Sequence, residues 1–372
     1  MSSLNIWTGF HWCSPVSPNN SAMAKELLQT TGRWGTVLIV GSSPGGSDGN
    51  FTDACDRALA AIQAAGGADL SECVARLYYG QACRPNLSDI GSVSAANTWL
   101  QDNGYYNSLN YFVGKGGRMC VVFNELNQGG PSQSCSDPSA EPQYDADPRV
   151  MGYLGYALQN AYYNQGNRQL FTLFPGPTGL LDQGTFDSYF QYSSSHAPNF
   201  NYDLWDSSNS QAQTFGQVYG GNVDATIANR TMLYHGGSGV FDRVALHCYA
   251  NSPSEFANAT IGNNNALEYI QWLLQIDPSG WIYVTEASGS DYYDSPNEGS
   301  ALAQYEANVS SWNGQAITSG GFGGQVQAVY GYILDISNPN GSRNSQDRFS
   351  CRAAAAYNAE RSSLCSQQGI CF

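Results

Sequence analysis

Two glutamates follow apolar, β-branched runs in this sequence. Glu125 lies near the end of residues 118–127, and Glu286 lies near the end of residues 281–288. The chain has only ten glutamates, and a carboxylate is costly to bury unless it is solvated or paired. Two facing carboxylates can hydrolyse a glycosidic bond, because one protonates the leaving oxygen while the other attacks the anomeric carbon. We therefore take Glu125 and Glu286 as a candidate catalytic pair.

The elements that must position these glutamates alternate along the whole chain. Short apolar runs alternate with longer helical patterns, which is typical of βα units and a parallel sheet. Eight such strands predict an α/β fold of the (β/α)8 TIM-barrel type rather than an open doubly wound sheet. The predicted strands cover residues 4–12, 34–42, 73–80, 118–127, 169–175, 241–250, 281–288 and 326–337. The predicted helices cover residues 21–31, 51–65, 95–109, 148–164, 266–274, 301–312 and 350–364.

Two segments are longer than ordinary barrel connections. Residues 128–147 follow predicted strand four, and an insertion of about residues 178–240 follows predicted strand five. The insertion is rich in Gly, Asn, Ser, Tyr and Phe, and we expect it to be ordered, with short helices at 186–193 and 224–234. No linker or shift in composition marks a boundary. We therefore expect residues 1–372 to form one catalytic domain with long loops after strands four and five.

The composition excludes several classes of protein. Hydrophobic residues make up 42% of the chain and charged residues 12%, so disorder through excess charge is excluded. A formal net charge of −15, without any basic run, argues against a nucleic-acid partner. No apolar stretch reaches the roughly 18 residues of a membrane span, so we expect no membrane partner.

Metal and cofactor chemistry has little support in the sequence. The chain has four histidines, and its cysteines lack the paired spacing of zinc sites. No glycine-rich phosphate loop is present. Residues 41–45 match the Gly-x-Ser-x-Gly elbow of serine hydrolases, but the proline and glycines that follow exclude the helix that this elbow requires. We expect neither a cofactor nor a metal.

Ten cysteines favour disulfide bonds and an extracellular, secreted protein. The predicted strand at residues 4–12 leaves no room for a signal peptide, so we expect an export signal to have been removed or never present. Two pairings are hypotheses: Cys365 with Cys371, and Cys83 with Cys135. Cys120 and Cys248 fall inside predicted strands, where small buried thiols are the preferred interpretation.

The positions of the two glutamates resemble those of glycoside hydrolase clan A, the retaining (β/α)8 glycosidases. Those enzymes carry an Asn-Glu pair at the end of strand four and a Glu at the end of strand seven, matched here by Asn124, Glu125 and Glu286. The resemblance implies that Glu125 is the general acid/base, Glu286 the nucleophile and Asn124 a partner of the sugar 2-hydroxyl. His247 and Tyr249 share a face of strand six, where the clan commonly places a His or Tyr against the nucleophile.

Two departures from the clan concern the sugar-binding surface. Strand eight lacks the tryptophan that many members place under the sugar, so Tyr330, Tyr332 or Asp335 would have to serve. Strand two carries no arginine near its end, whereas Arg76 lies on strand three. Flat rings and polar groups at strand ends are typical of a glycan cleft. The candidate substrate-binding residues are Asn124, Asn127, Arg76, His11, Trp12, His247, Tyr249, Tyr330 and Tyr332.

The sequence thus predicts a retaining β-glycoside hydrolase whose partner is a polysaccharide or oligosaccharide. The long loops favour endo-action on a β-linked glucan, mannan or xylan. An alternative is that Glu125 is a solvated loop residue and Glu286 a salt-bridged one. A second alternative is a barrel that binds glycan without cleaving it, as a binding or structural surface protein. The presence of both glutamates favours the enzyme.

Overall fold

The structure is a computed structural model of the chain. It describes residues 7–12, 35–40, 49–64, 66–77, 85–123, 148–164, 166–175, 214–233, 239–249, 252, 254, 281–288, 296–318, 325–334 and 351–368. The strands within these ranges are β1 (Trp7–Trp12), β2 (Gly35–Val40), β3 (Val74–Leu77), β4 (Met119–Val121), β5 (Tyr163–Asn164), β6 (Asn167–Arg168), β7 (Phe171–Phe174), β8 (Thr231–Leu233), β9 (Gly239–Phe241), β10 (Arg243–Tyr249), β11 (Trp281–Ser288) and β12 (Gln325–Leu334). The helices are α1 (Gly49–Ala64), α2 (Val93–Asp102), α3 (Tyr105–Gly114), α4 (Pro148–Ala161), α5 (Phe215–Tyr219), α6 (Pro296–Thr318) and α7 (Cys351–Gln368), with a 3-10 turn at Gly220–Asn222.

Eight parallel strands close into a barrel. Their order around the barrel is β1, β12, β11, β10, β7, β4, β3 and β2, and β1 pairs with both β12 and β2. The predicted (β/α)8 barrel is therefore confirmed, and each predicted strand overlaps one barrel strand. The short strands β5 and β6 form an antiparallel pair, and β8 and β9 form a parallel pair outside the barrel.

The predicted helix at residues 95–109 is two helices in the structure. α2 ends at Asp102, and the backbone N–H of Asn103, the residue that caps it, donates to the Trp99 carbonyl at 3.1 Å. Gly104 follows with a φ of 75°, a left-handed conformation that glycine adopts at little cost. α3 then starts at Tyr105. A single helix was the wrong prediction because the apolar pattern continues through the break.

The predicted helix at residues 224–234 is also wrong. Residues 225–229 form turns, and the chain continues into β8. The Asp224 carboxylate accepts hydrogen bonds from the Thr226 backbone N–H at 2.9 Å and from its hydroxyl at 2.7 Å. Such local bonds from an aspartate compete with helix formation. The predicted helices at residues 21–31, 186–193 and 266–274 lie outside the described residues.

Side chains of the strands divide between the barrel interior and an outer layer beneath the helices. On β11, Ile282 and Val284 belong to the outer layer and Tyr283 to the interior, as alternation along a strand requires. The interior cluster consists of Val37, Val74, Met119, Val121, Leu173, Ala245, Tyr283, Ala328 and Tyr330, with Phe171 packed against it. The barrel is thus filled by side chains, and polar residues are free to form a site only at its ends.

Arg243 closes the amino-terminal end of the barrel. Its guanidinium carbon lies 3.7 Å from the Phe171 ring centre and 4.0 Å from that of Trp281, and it donates to the Tyr283 hydroxyl. Burial lowers the pKa of the Arg243 guanidinium and raises the pKa of Tyr283 to about 12. Phe171, Trp281 and Arg243 are the first residues of their strands. The site must therefore be sought at the opposite end.

The described cysteines include four free, buried thiols: Cys55, Cys73, Cys120 and Cys248. The interpretation of Cys120 and Cys248 as buried thiols within strands is confirmed. Cys365 is disulfide-bonded, whereas Cys371, Cys83 and Cys135 lie outside the described residues, so both pairings stay predictions. Among the described helices, none combines the length and apolarity needed to cross a bilayer.

Candidate active site

A β-bulge on β11 directs Glu286 into the barrel. Leu246 pairs with Val284, but His247, the next residue of β10, pairs with Glu286. The pairing with β12 shows the same extra residue, since the register shifts between Val284 and Ala287. Regular alternation would place Glu286 on the outer face with Val284. The bulge reverses that direction, as bulges beside functional sites commonly do.

Thr285 is the additional residue of this bulge. Its side chain is fully buried, and its hydroxyl donates to the Leu246 carbonyl at 3.3 Å. This bond ties the bulged strand to its neighbour β10, the strand that carries His247. The direction of the Glu286 side chain is therefore fixed by backbone pairing on both sides of β11 and by a side-chain contact.

Arg76 reaches Glu286 from the opposite wall of the barrel. β3 and β11 are four strands apart in either direction around the sheet. The Arg76 Nη1 nevertheless donates to Glu286 Oε1, and Arg76 Nη2 lies 3.2 Å from His247 Nε2. His247 Nδ1 lies 3.4 Å from Glu286 Oε2. Three strands thus contribute to one cluster, hereafter the Arg76–His247–Glu286 cluster.

The contacts of His247 favour one tautomer of its neutral imidazole. A guanidinium carries only donors, so His247 Nε2 must accept the hydrogen bond from Arg76. The proton of a neutral imidazole then lies on Nδ1, which faces Glu286 Oε2. The Nδ1 side of the imidazole thus faces one oxygen of the Glu286 carboxylate, while Arg76 donates to the other.

The cluster is closely packed and electrically balanced. Arg76 is 3% exposed, His247 2% and Glu286 5%. A lone carboxylate at this depth would be strongly destabilised, but a paired guanidinium compensates much of that cost. An opposite charge and a hydrogen-bond donor both favour the ionised form of a carboxylate. The arrangement therefore presents Glu286 as a buried, oriented anion at the carboxyl-terminal end of β11.

The end of β4 is marked by an unusual backbone conformation. Phe123 is fully buried, and its φ of 73° is left-handed, which is uncommon for a bulky residue. Such conformations concentrate at functional sites. The candidate residues Asn124, Glu125 and Asn127 follow Phe123 directly and lie outside the described residues. Their roles stay predictions.

Of the other predicted site residues in barrel strands, the structure describes the side chain of Tyr330 but not those of His11, Trp12, Tyr249 and Tyr332. His11 and Trp12 lie in β1, Tyr249 in β10 and Tyr332 in β12, but their side chains fall outside the described part of the structure. Tyr330 is fully buried inside the barrel, and its hydroxyl donates to the Glu72 carbonyl at 2.6 Å. Glu72 precedes β3, at the amino-terminal side. The prediction that Tyr330 binds substrate is therefore corrected: it packs the interior.

Arg76 and His247, both candidate substrate-binding residues, lie against Glu286 in the structure. The clan resemblance already implied a histidine or tyrosine beside the nucleophile at the position of His247, whereas the contact of Arg76 was not predicted. The signal in the sequence was a single arginine inside an otherwise apolar strand, Val-Ala-Arg-Leu. An arginine in such a strand needs a buried partner, but the local sequence does not identify that partner. The role of Thr285 in the bulge was not predicted, because no local sequence pattern indicates a bulge at this position.

No metal centre is found in the part of the chain that the structure describes, where no three His, Cys, Asp or Glu side chains group as ligands. The Arg76–His247–Glu286 cluster itself does not suit a cation. Its guanidinium occupies the carboxylate, and a histidine that accepts from arginine has no lone pair left for a metal. Among the described groups, the chemistry that this cluster offers is that of a carboxylate nucleophile or base.

Comparisons with known proteins identify the architecture. No family model matches the sequence, and no curated protein matches it. A fungal β-1,4-galactanase structure aligns with a TM-score of 0.51 and 13% identity, over 94% of this chain and 98% of that chain. A family 39 glycoside hydrolase from the gut symbiont Bacteroides cellulosilyticus WH2 aligns with a TM-score of 0.52 and 12% identity, over 96% of this chain and 64% of that chain. The β-glycosidase BGL167 aligns with a TM-score of 0.50 and 11% identity, over 93% and 85%.

At sequence identities this low, the structural alignments establish the fold alone. The chain is a (β/α)8 barrel of the architecture that these glycoside hydrolases have. Within that architecture it holds a buried glutamate, paired with arginine and histidine, at the carboxyl-terminal end of a barrel strand. This is the end at which TIM-barrel enzymes form their active sites.

Proposed function

We propose that this protein is a retaining β-glycoside hydrolase in which Glu286 is the nucleophile and Glu125 the general acid/base. The observation that carries the proposal is the Arg76–His247–Glu286 cluster at the carboxyl-terminal end of the barrel. A structural ion pair alone would not require a bulge to direct the carboxylate inward, nor a histidine 3.4 Å from its second oxygen.

Each member of the cluster has a part in the proposed reaction. The Glu286 carboxylate attacks the anomeric carbon, and the bond from that carbon to the leaving oxygen breaks as Glu125 protonates the oxygen. Arg76 keeps Glu286 ionised before attack and stabilises the carboxylate when it leaves again. His247 holds the second carboxylate oxygen and so sets the plane of the group.

The second half of the reaction releases the sugar. Glu125, now deprotonated, takes a proton from water, and the resulting oxygen attacks the anomeric carbon of the glycosyl-enzyme ester while the bond from that carbon to the Glu286 oxygen breaks. Two displacements at the same carbon retain its configuration. Retention requires the two carboxyl groups to stand about 5 to 5.5 Å apart.

We propose endo-action on a neutral β-linked polysaccharide. Long segments after predicted strands four and five, at residues 128–147 and 178–240, would form the walls of an open cleft. Glucan, mannan and xylan remain the proposed substrates. Galactan joins them in the test, because a structurally similar protein is a β-1,4-galactanase. Secretion is part of the proposal and rests on the ten cysteines.

The experiment measures hydrolysis of glucan, mannan, xylan and galactan by the wild-type chain, Glu286→Gln and Glu125→Gln. A loss of about 10²-fold or more in each variant is expected for a catalytic acid or base. Glu360→Gln is the matched control, because Glu360 lies on α7 and bonds Gln304 at 2.9 Å, away from the barrel end. Circular dichroism checks that all variants fold.

The products decide between modes of action. A mixture of oligosaccharides at the earliest time supports endo-action, whereas monosaccharide alone contradicts it. If the wild type binds one of the polymers but cleaves none, the proposal of an enzyme fails and the protein is a glycan-binding barrel.

A further inference from the structure

A groove of about 570 Å³ runs along the outer face of α2, outside the barrel end that holds Glu286. Ala95, Thr98, Trp99 and Asp102 line it, and their spacing of three and four residues places them on one face of the helix. Asp89 and Ser94 also line it. Ala95 and Trp99 are the apolar residues of the lining.

Trp99 is held in a fixed orientation by its other contacts. Its ring stacks on Tyr105, with ring centres 5.2 Å apart and planes inclined by 25°. Phe123 meets it edge-on at 6.2 Å. Tyr105 and Phe123 are fully buried, whereas Trp99 keeps part of its ring exposed to the groove. A rigid aromatic surface that is partly open to solvent is suited to stack on the C–H face of a sugar.

The polar side chains around this ring are available to a ligand. Ser94, Thr98 and Asp102 are exposed, and their side chains make no hydrogen bond within the described structure. Hydroxyl and carboxylate groups of this kind match the hydroxyls of a saccharide. Asp89 and Asp102 also make the groove acidic, so a neutral saccharide fits it better than an anionic one.

The groove is built on a rigid helix. At the start of α2, the Ser92 hydroxyl accepts from the Ala95 N–H at 3.1 Å, and Asp224 accepts from the Val93 N–H at 2.9 Å. At its end, the Asn103 side-chain amide donates to the Trp99 carbonyl at 2.8 Å. Hydrogen bonds at both ends hold the helix in place. Binding of a ligand would therefore cost little conformational entropy of the helix.

We propose that this groove is a second, non-catalytic binding site for a neutral β-linked polysaccharide, with Trp99 as the stacking platform. The inference rests on the proposed function, since it supplies a second contact for the same polymer. Phe123 joins the two regions: it packs on Trp99 and directly precedes the candidate residues at the end of β4. A chain held at α2 would be kept near the cleft, which raises its local concentration.

The test uses the full chain in the Glu286→Gln background, with native gels containing soluble glucan, galactomannan, arabinoxylan or galactan. Thr98→Arg fills the groove with a long side chain from an exposed position. Gln101→Arg is the matched control, because Gln101 is exposed on the same helix but does not line the groove. Trp99→Ala and Trp99→Phe test the ring itself.

We expect Thr98→Arg and Trp99→Ala to weaken polymer binding by about three- to tenfold, as loss of an aromatic contact does, while Gln101→Arg and Trp99→Phe change it little. In the otherwise wild-type chain, turnover of a short aryl glycoside should not change in Thr98→Arg. Equal binding by Thr98→Arg and Gln101→Arg overturns the inference, even if the wild type cleaves the polymer. Binding that is lost only in the groove variants supports it, even if no polymer is cleaved and the proposed function fails.

Discussion

The guanidinium of Arg76 and the carboxylate of Glu286 are hydrogen-bonded across the barrel, although their strands lie on opposite walls. The two residues are 210 positions apart in the chain. Their contact exists only when the barrel closes, since closure alone brings β3 and β11 face to face. The same contact therefore contributes to the stability of the fold and favours the ionised form of Glu286, the candidate nucleophile.

Replacing Arg76 by Met should leave Glu286 buried without its countercharge. We expect a destabilisation of about 3 to 5 kcal/mol, as found when one partner of a buried ion pair is removed. Without the nearby positive charge the carboxylate protonates at higher pH, so the acid limb of kcat/KM should move to higher pH. Urea unfolding and a pH–rate profile measure the two effects.

Arg57→Met is the control for this prediction, because Arg57 pairs with Asp53 at 2.7 Å on the surface, with 37% of its side chain exposed. That change should cost no more than about 0.5 kcal/mol. If the acid limb of Arg76→Met coincides with that of the wild type, Arg76 does not act on the ionisation of Glu286.

The neutral imidazole of His247 should carry its proton on Nδ1. The guanidinium of Arg76 leaves its Nε2 only the role of acceptor. Nitrogen-15 chemical shifts of the imidazoles report the tautomer, and His247→Asn identifies the signal among the four histidines of the chain. A proton found on Nε2 would contradict the geometry of the cluster.

The four buried thiols should not react in the folded protein. Burial raises the pKa of Cys73 and of Cys248 to about 12 and raises those of Cys55 and Cys120 as well. At pH 8 the reactive thiolate is therefore scarce and also inaccessible. Mass spectrometry after iodoacetamide treatment should find the four residues unmodified until denaturant is added. Rapid labelling of the native protein, with its circular dichroism unchanged, would show that these thiols are accessible.

Asp224→Ala should destabilise the protein by about 1 kcal/mol at pH 7, the usual cost of losing a helix cap. Partial burial raises the pKa of Asp224, but hydrogen bonds from Thr226 and Val93 outweigh it and hold the pKa below its ordinary value. Because the pKa of Asp224 is lower in the folded than in the unfolded chain, its ionised carboxylate stabilises the folded protein at pH values above the unfolded-state pKa. This stabilisation is lost as the pH falls through the folded-state pKa. The difference from the wild type should therefore shrink below about pH 4.

Asp53→Ala provides the comparison for Asp224→Ala, because Asp53 is exposed and bonds only along its own helix to Arg57 in the described structure. Urea unfolding at pH 7 and at acidic pH measures both variants. A difference between Asp224→Ala and the wild type that is constant with pH would mean that the carboxylate charge is not what stabilises α2.

Local patterns in the sequence were sufficient for the strands and for the barrel. Apolar alternation depends only on neighbouring residues, and all eight predicted strands overlap barrel strands. The helix predicted at residues 95–109 was wrong at Gly104, because the effect of one left-handed residue is hidden within a continuing apolar pattern. The helix predicted at residues 224–234 was wrong because the Asp224 carboxylate accepts a hydrogen bond from the Thr226 backbone N–H, which favours a turn over a helix.

The sequence by itself determined that Glu286 ends a barrel strand and that Arg76 is an isolated charge inside another. Only the tertiary structure decided that these two side chains meet, that His247 bridges them, and that Tyr330 belongs to the interior. The reason is that strand direction and alternation are local, whereas the partner across a barrel depends on closure and register. The Thr285 bulge illustrates this most clearly: without it, the period of the strand would have turned Glu286 away from the site.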